Sequence, residues 1–290
     1  FKESDGAIVF EGEQYGLHTR VFINSQGLPT YEAKDVGLPA TKYHDYKYDL
    51  SIIITANEIN EYFKVVLKAL SLIDPDLSAK TKHISHGVVR LPDGKMSSRT
   101  GKIITGESLI EEVKDRLRGI INKNEKVSVE EKDKIAEDAA IGAIKYSLLK
   151  VSTGSDVTFD INESISFDGN SGPYLQYTYA RCKSVLHKGG EVGKEINTEN
   201  YQLKDEELSL LRTFYKYPEA VLEADKNFAP NLIANYLYDL SQRYNVFYQK
   251  VPILNSDENE KQFRLALTRA TAQVLKNGLT LLGIPVLEKM

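Results

Sequence analysis

Apolar positions follow two different rhythms along the chain. Near the N-terminus they come in short runs. Ala7-Ile8-Val9-Phe10 and Arg20-Val21-Phe22-Ile23 are rich in strand formers and are separated by the turn-prone Gly12 and Gly16. Leu50-Ser51-Ile52-Ile53-Ile54 has the continuous apolar character of a strand covered on both faces. Phe63, Val66, Leu67, Leu70 and Ile73 then recur at helical spacing, and Asp74-Pro75 stops that helix. Gly87-Val88-Val89-Arg90-Leu91 reads as the next strand, closed by the turn Pro92-Asp93-Gly94. Strand, helix and strand in this order predict a βαβ unit of a parallel sheet.

Beyond about Ser108 strand signals almost vanish. A polar, charge-rich tract within 122–138, including Asn122-Lys123-Asn124-Glu125-Lys126, predicts a connection or an exposed helix and places a domain boundary near residue 125. The remainder predicts helices at 135–151, 174–186, 205–223, 230–248 and 260–282. Pro173 stands in a favoured first-turn position for the second of these. Ile233, Leu237, Leu240, Tyr244 and Phe247 form one stripe along the fourth, and Gly283 and Pro285 close the last. The fold class is therefore α/β over 1–125, followed by an all-α bundle over 126–290.

The chain has 290 residues, 41% hydrophobic and 27% charged, as in a water-soluble globular protein. No apolar stretch approaches the ~18 residues of a membrane span. The start, Phe1-Lys2-Glu3-Ser4-Asp5, has neither an initiator Met nor the form of a signal peptide, and reads as cut from a longer chain. Cys182 is the only cysteine, which excludes an intrachain disulfide and a thiolate zinc cluster and suits a reducing cytoplasm. The net charge of −4 argues weakly against nucleic acid, but its distribution argues the other way. Residues 77–102 carry six Lys/Arg against Asp93 alone, 171–190 carry Arg181, Lys183 and Lys188 with no acid, and 261–290 carry five bases against Glu288. Phosphate binding depends on such local patches more than on the total, although solvated surface faces can look the same.

The most specific segment is Leu91-Pro92-Asp93-Gly94-Lys95-Met96-Ser97-Ser98-Arg99-Thr100-Gly101-Lys102. Cations and hydroxyls lie in a Gly-bounded loop after a predicted strand, where ligands bind parallel sheets. Such a loop can grip a triphosphate and stabilise the charge that develops as pyrophosphate leaves. With the preceding His83-Ile84-Ser85-His86-Gly87, this segment resembles the Lys-Met-Ser-Lys-Ser loop of class I aminoacyl-tRNA synthetases, in the form typical of the arginyl-tRNA synthetase family. Thr30-Tyr31-Glu32-Ala33-Lys34-Asp35 is similar to that family's Tyr-x-x-x-Asp element. A carboxylate and an adjacent ring suit a guanidinium, although Tyr31 and Asp35 alone would be an ordinary helical pair. Ile141-Gly142-Ala143-Ile144-Lys145-Tyr146, Phe159-Asp160, Gly172-Pro173-Tyr174-Leu175-Gln176-Tyr177-Thr178-Tyr179-Ala180-Arg181 and the terminal Met290 resemble elements of the family's anticodon-binding domain. Tyr174, Tyr177 and Arg181 share one helical face, either a stacking platform for unpaired bases or a buried aromatic stripe.

The resemblance spans nearly the whole chain. It implies a Rossmann-type catalytic domain over 1–125, cut short at its N-terminal side, and an all-helical anticodon-binding domain over 126–290. It implies ligation of L-arginine to arginine tRNA through arginyl-adenylate by a monomeric cytoplasmic enzyme, with ATP and with Mg²⁺ carried by the ATP rather than by a protein metal site. Lys95, Ser97, Ser98 and Arg99 are the implied catalytic residues, and Lys95, Met96, Ser97 and Ser98 the ATP contacts. Tyr31, Asp35 and Glu58 are assigned to arginine, and Tyr174, Tyr177, Arg181, Tyr248 and Met290 to the anticodon. Ser98 replaces the family's second lysine, so Lys95, Arg99 or Lys102 must supply the phosphate charge. The family's second arginine-contacting residue, a Gln, falls on Ile59 with Glu58 beside it. The His-Ile-Gly-His signature of the ATP site is missing, so the chain alone is expected to be inactive. The alternatives are a standalone, non-catalytic tRNA-binding protein and a synthetase for another amino acid such as cysteine or methionine.

Overall fold

The computed structural model describes residues 1–92, 105–121, 128–193 and 201–290. These form two compact units, Phe1–Val88 with Gly154–Asp156, and Val89–Thr153 with Val157–Met290.

The first unit begins with an antiparallel sheet of β1 (Lys2–Ser4), β2 (Ala7–Phe10) and β3 (Arg20–Ile23). Asp5 and Gly6, both at positive φ (48° and 77°), make the tight β1–β2 turn. Helix α1 (Tyr31–Asp45) follows, then β4 (Ser51–Ala56), α2 (Asn60–Ile73), α3 (Pro75–Ala79) and β5 (Thr81–His86). β4 and β5 pair in parallel with Ile53 opposite His83, so the βαβ unit is present. Asp74 caps α3, its carboxylate accepting from the Leu77 N–H at 2.9 Å, and Pro75 follows at the first turn, which ends α2 where expected. Phe10, Phe22, Val65 and Ala69 make the core of this unit.

Two expectations fail here. The second strand of the βαβ unit is Thr81–His86, not the run 87–91. Its sequence is mostly polar, and it earns its place through specific contacts rather than hydrophobicity. His83 stacks on Phe63 of α2 with ring centroids 4.2 Å apart, and its Nε2 lies 2.7 Å from Thr55 Oγ1 on β4. The chain then passes Gly87, where a Cβ would stand 2.1 Å from the Ser155 carbonyl oxygen, so only glycine fits against the returning segment 154–156. Secondly, β4 is not covered on both faces: Ile52 and Ile54 are exposed, the latter by 67%.

In the second unit β6 (Val89–Arg90) pairs in parallel with β7 (Val157–Thr158). Helices α4 (Gly106–Ile121), α5 (Val129–Leu149), α6 (Ile161–Ser164), α7 (Gly172–Gly189), α8 (Asp205–Tyr215), α9 (Tyr217–Asn227), α10 (Pro230–Lys250) and α11 (Glu258–Leu281) make up the rest. Val113 and Leu117 of α4 pack with Ala136 and Ala140 of α5, Phe159 and Leu287, so α4 belongs to this helical unit and the units part at Val88 and Val89. Leu175, Tyr179, Leu210, Leu237, Tyr244 and Leu275 belong to the larger core. The helix expected at 205–223 is broken at Lys216. Pro218 lacks the N–H that an uninterrupted helix needs and its ring would meet the Phe214 carbonyl, so it opens a new helix instead.

Local chemistry sets these elements. Ser171 caps α7 by accepting from the Tyr174 N–H at 3.1 Å, with Pro173 in the first turn. Asp160 caps α6 while its neighbour Phe159 is buried. Gly283, at φ 65°, follows the end of α11. α5 and α7 approach backbone to backbone: a Cβ on Gly172 would lie 2.1 Å from the Gly142 carbonyl oxygen, and one on Gly142 would lie 2.6 Å from Gln176 Oε1. Gln176 is wholly buried and its Nε2 donates to the Asp138 and Pro285 carbonyls at 3.0 and 2.8 Å, tying the C-terminal segment to the bundle. Its polarity therefore marks a buried tie, not an exposed binding face. Arg264, only 1% exposed, pairs with the fully buried Glu207 at 2.8 Å and donates from Nη1 to the Pro252 carbonyl at 2.9 Å, which fixes the turn after α10.

Candidate functional site

The first station lies at the carboxyl end of β4, where parallel sheets bind ligands. Thr30 precedes α1, whose first turns carry Tyr31 and Asp35 on one face. Tyr62, in the first turn of α2, donates from its hydroxyl to Asp35 Oδ2 at 2.5 Å. The Arg20 guanidinium sits 5.3 Å over the Tyr62 ring and pairs with Glu32 at 3.2 Å. Burial, then the hydrogen bond to the Asp35 carboxylate, push the Tyr62 hydroxyl far above the ordinary tyrosine value, so it remains a donor. Asp35 is thus a half-buried carboxylate held at one oxygen, with the accepting capacity of the other oxygen left for a planar donor. Tyr31 is 79% exposed, with Lys34 Nζ 5.5 Å over its ring. Glu58 lies in the short 3-10 turn Asn57–Ile59 that joins β4 to α2 and is exposed. Tyr62, which carries no signal of its own in the sequence, ties Asp35 to the first turn of α2.

The second station is a cleft of about 920 Å³ in the helical unit, between α7, the turn after α10 and the C-terminal tail. Tyr177, Arg181, Tyr248 and Met290, all assigned from sequence, line it together. Arg181 Cζ lies 4.8 Å from the Tyr177 ring centroid and 5.0 Å from that of Tyr248. Tyr248 is 43% exposed and Tyr177 half-buried, with Phe167 edge-on at 6.1 Å. Lys183, Lys188 and Lys289 add positive charge to the walls, and His187 lines the cleft with them. Tyr174 is set apart: it does not line the cleft, its ring meets Tyr238 at 5.6 Å, and its hydroxyl accepts from Asn245.

The cleft is not acid-free, as the sequence around α7 alone suggested. Glu288 returns from the tail, accepts from the Tyr179 hydroxyl at 2.8 Å and pairs with Lys183 at 3.1 Å. Burial alone would raise its carboxyl, but the Tyr179 and Lys183 contacts outweigh that and hold it below the usual glutamate range. Asn245 carries no local sequence signal, and Lys183 shows in the sequence only as one member of a basic cluster. Their contacts depend on helices and a tail that meet only in the fold.

The phosphate-loop residues Lys95, Met96, Ser97, Ser98 and Arg99 lie outside the described residues. Among the described residues no cluster of His, Cys, Asp or Glu is arranged to hold a metal ion, and no helix is long and apolar enough to cross a membrane.

A parallel βαβ unit with a poised carboxylate at its strand end, in one chain with a helical unit bearing a basic aromatic cleft, is the build of a class I tRNA synthetase. A family model for the class I (R) tRNA synthetase catalytic domain matches residues 1–161, and one for the DALR anticodon binding domain matches residues 175–290. The chain belongs to the class I tRNA synthetase family of the R, or arginine, type. The arginine–tRNA ligase of Parabacteroides distasonis is 35% identical over 297 residues, covering 100% of this chain and 50% of that protein. That of Flavobacterium psychrophilum is 36% identical over 295 residues, covering 100% and 49%. The arginyl-tRNA synthetase structure from Thermus thermophilus superimposes with a TM-score of 0.88 at 28% identity, over 98% of this chain and 54% of that one. A Mycobacterium tuberculosis methionyl-tRNA synthetase shares the fold at 17% identity and a TM-score of 0.51, over 83% of this chain and 42% of that one. The chain spans about half the length of the curated relatives it matches.

Proposed function

We propose that this chain is the rear part of an arginyl-tRNA synthetase, a cytoplasmic monomer that joins L-arginine to ATP as arginyl-adenylate and passes the arginine to the terminal ribose of arginine tRNA. The observation that carries the reading is Asp35, held by the Tyr62 hydroxyl at 2.5 Å beside the exposed Tyr31. A carboxylate fixed in this way suits paired hydrogen bonds to a guanidinium, and so selects arginine from among the amino acids. Tyr31, Asp35 and Glu58 take the arginine side chain. Lys95, Ser97, Ser98 and Arg99 serve the reacting phosphates, and Met96 lies with them against ATP, whose Mg²⁺ travels with the nucleotide. The cleft of the helical unit takes the anticodon, with Tyr177, Arg181, Tyr248 and Met290 in contact and Tyr174 behind them. In functional terms the catalytic part covers 1–125 and the tRNA-binding part 126–290, although the packing division falls earlier, between Val88 and Val89.

The test is amino-acid-dependent ATP–pyrophosphate exchange. The intact enzyme, with arginine tRNA present, should exchange with arginine, and the 290-residue chain alone should not. Exchange driven by another amino acid in place of arginine would overturn the assignment. In the intact enzyme Lys95→Ala should slow single-turnover adenylate formation by about 2–4 kcal/mol of lost transition-state stabilisation. An unchanged rate would remove Lys95 from that role. A standalone tRNA-binding protein is the weaker reading, since the family match extends over the catalytic segment 1–161.

A further inference from the structure

Arg181 is not a loose surface cation. Besides the two rings near its Cζ, its Nη1 donates to Asn245 Oδ1. Asn245, on α10, is nearly buried, and both ends of its amide are engaged. Its Nδ2 donates to the Tyr174 hydroxyl at 2.9 Å and to Thr178 Oγ1 at 3.1 Å. The amide can stand only one way round. A guanidinium only donates, so the oxygen must face Arg181 and the NH₂ must face the two hydroxyls. Thr178 is fixed in turn, since its hydroxyl donates to the Tyr174 carbonyl at 2.9 Å. A chain of contacts therefore runs from the backbone of α7, through Tyr174 and Thr178, to Asn245 and on to Arg181.

We infer that Asn245 is a positioning residue for the cleft: it fixes the Arg181 guanidinium beside the Tyr177 and Tyr248 rings, so that the remaining N–H groups on Nε and Nη2 meet an acceptor oxygen of the entering RNA at a preset place. This rests on the reading of the cleft as an RNA site. The oxygen belongs to the exposed edge of an unpaired base or to a phosphate, the same acceptor chemistry from two sources. Tyr174, which does not line the cleft, acts through Asn245 rather than on the RNA.

A double-mutant cycle on the 290-residue chain tests this, with filter binding of transcribed arginine tRNA over a range of salt concentrations. Asn245→Leu should weaken binding about fivefold in the parent and leave it unchanged in an Arg181→Ala background, because its effect runs through Arg181. A residue that merely supports the bundle would cost the same in both. Equal losses in the two backgrounds, or no loss in the parent while Arg181→Ala weakens binding, would overturn the inference and leave the cleft standing. Unchanged binding in both Arg181→Ala and Tyr177→Ala would instead bring down the reading of the cleft itself. A salt slope lower by about one in Arg181→Ala identifies a phosphate, and an unchanged slope a base edge. If Asn245→Leu does not fold, Asn245→Ser, which keeps a hydroxyl toward Tyr174 and Thr178, completes the same cycle.

Discussion

The two stations solve opposite electrostatic problems with the same materials. In the first unit a carboxylate, Asp35, is held by a tyrosine hydroxyl and kept available to a cation. In the helical unit a guanidinium, Arg181, is held by an amide oxygen beside two tyrosine rings and kept available to acceptors. Among the described residues neither charge is cancelled by a direct ion pair. The nearby opposite charges are tied up elsewhere: Arg20 pairs with Glu32, and Glu288 pairs with Lys183. Neutral hydrogen-bonding partners fix a charge in place without discharging it, whereas a salt bridge would fix it and weaken its pull on a ligand.

If this symmetry is right, removing the charge should cost most. Asp35→Asn in the intact enzyme should raise the arginine KM by about tenfold to a hundredfold, the loss of a hydrogen bond to a charged group, and leave the ATP KM nearly unchanged. Steady-state kinetics in both substrates decide it, and a change confined to ATP would mean that Asp35 has been given the wrong partner. Removing a ring from the helical station should cost a little less. Tyr177→Ala should weaken tRNA binding by roughly tenfold, at most a hundredfold, since stacking one base is worth about 1–3 kcal/mol. The melting temperature, measured on the same variant, should fall only slightly because Tyr177 is half-buried at a cleft wall. A loss of about 3–5 kcal/mol in stability would instead mark it as a core ring.

Removing only the holder should cost less again. Tyr62→Phe keeps the ring under Arg20 and takes away the hydroxyl on Asp35, so the arginine KM should rise by about threefold to tenfold. A rise as large as that of Asp35→Asn would mean that Tyr62 itself touches the substrate. The smallest effect is a pH dependence. The Glu288 carboxyl is held below its ordinary value, so its tie to the bundle is fully present above about pH 4.3 and is lost as the pH falls through the lower folded value. Hydrogen exchange of the C-terminal segment should therefore quicken in that acid range in the parent, while Glu288→Gln should show no such step. A step of equal size in Glu288→Gln would assign the effect to another carboxyl.

The parts of this molecule that could be read from sequence are those with a local cause. Pro173, Asp74-Pro75 and Gly283 mark helix ends through their own backbone chemistry, and each stands at the end it signals. Tyr177 and Arg181 share a face because helical spacing places them there, and Tyr248 and Met290 line the same cleft. What was hidden depends on distant residues. β5 has no hydrophobic strand signal of its own, because His83 is settled by Phe63 and Thr55, which are far away in the chain. The burial of Gln176 cannot be read from its own polarity, because its partners are the carbonyls of Asp138 and Pro285. The helical spacing over 205–223 runs on through Pro218, whose backbone chemistry divides that stretch into α8 and α9. Lys95 and its neighbours rest on the resemblance alone, since they fall outside the described residues.

The two glycines between α5 and α7 leave unequal room for change. A methyl on Gly142 would press on the Gln176 side chain, which a second substitution can shorten, so an alanine at 142 has a route to a suppressor. A methyl on Gly172 would press on the Gly142 carbonyl oxygen itself, and no exchange of side chains can move that atom out of the way. In a saturation library selected for growth, position 142 should therefore drift together with 176, while position 172 stays glycine in every survivor.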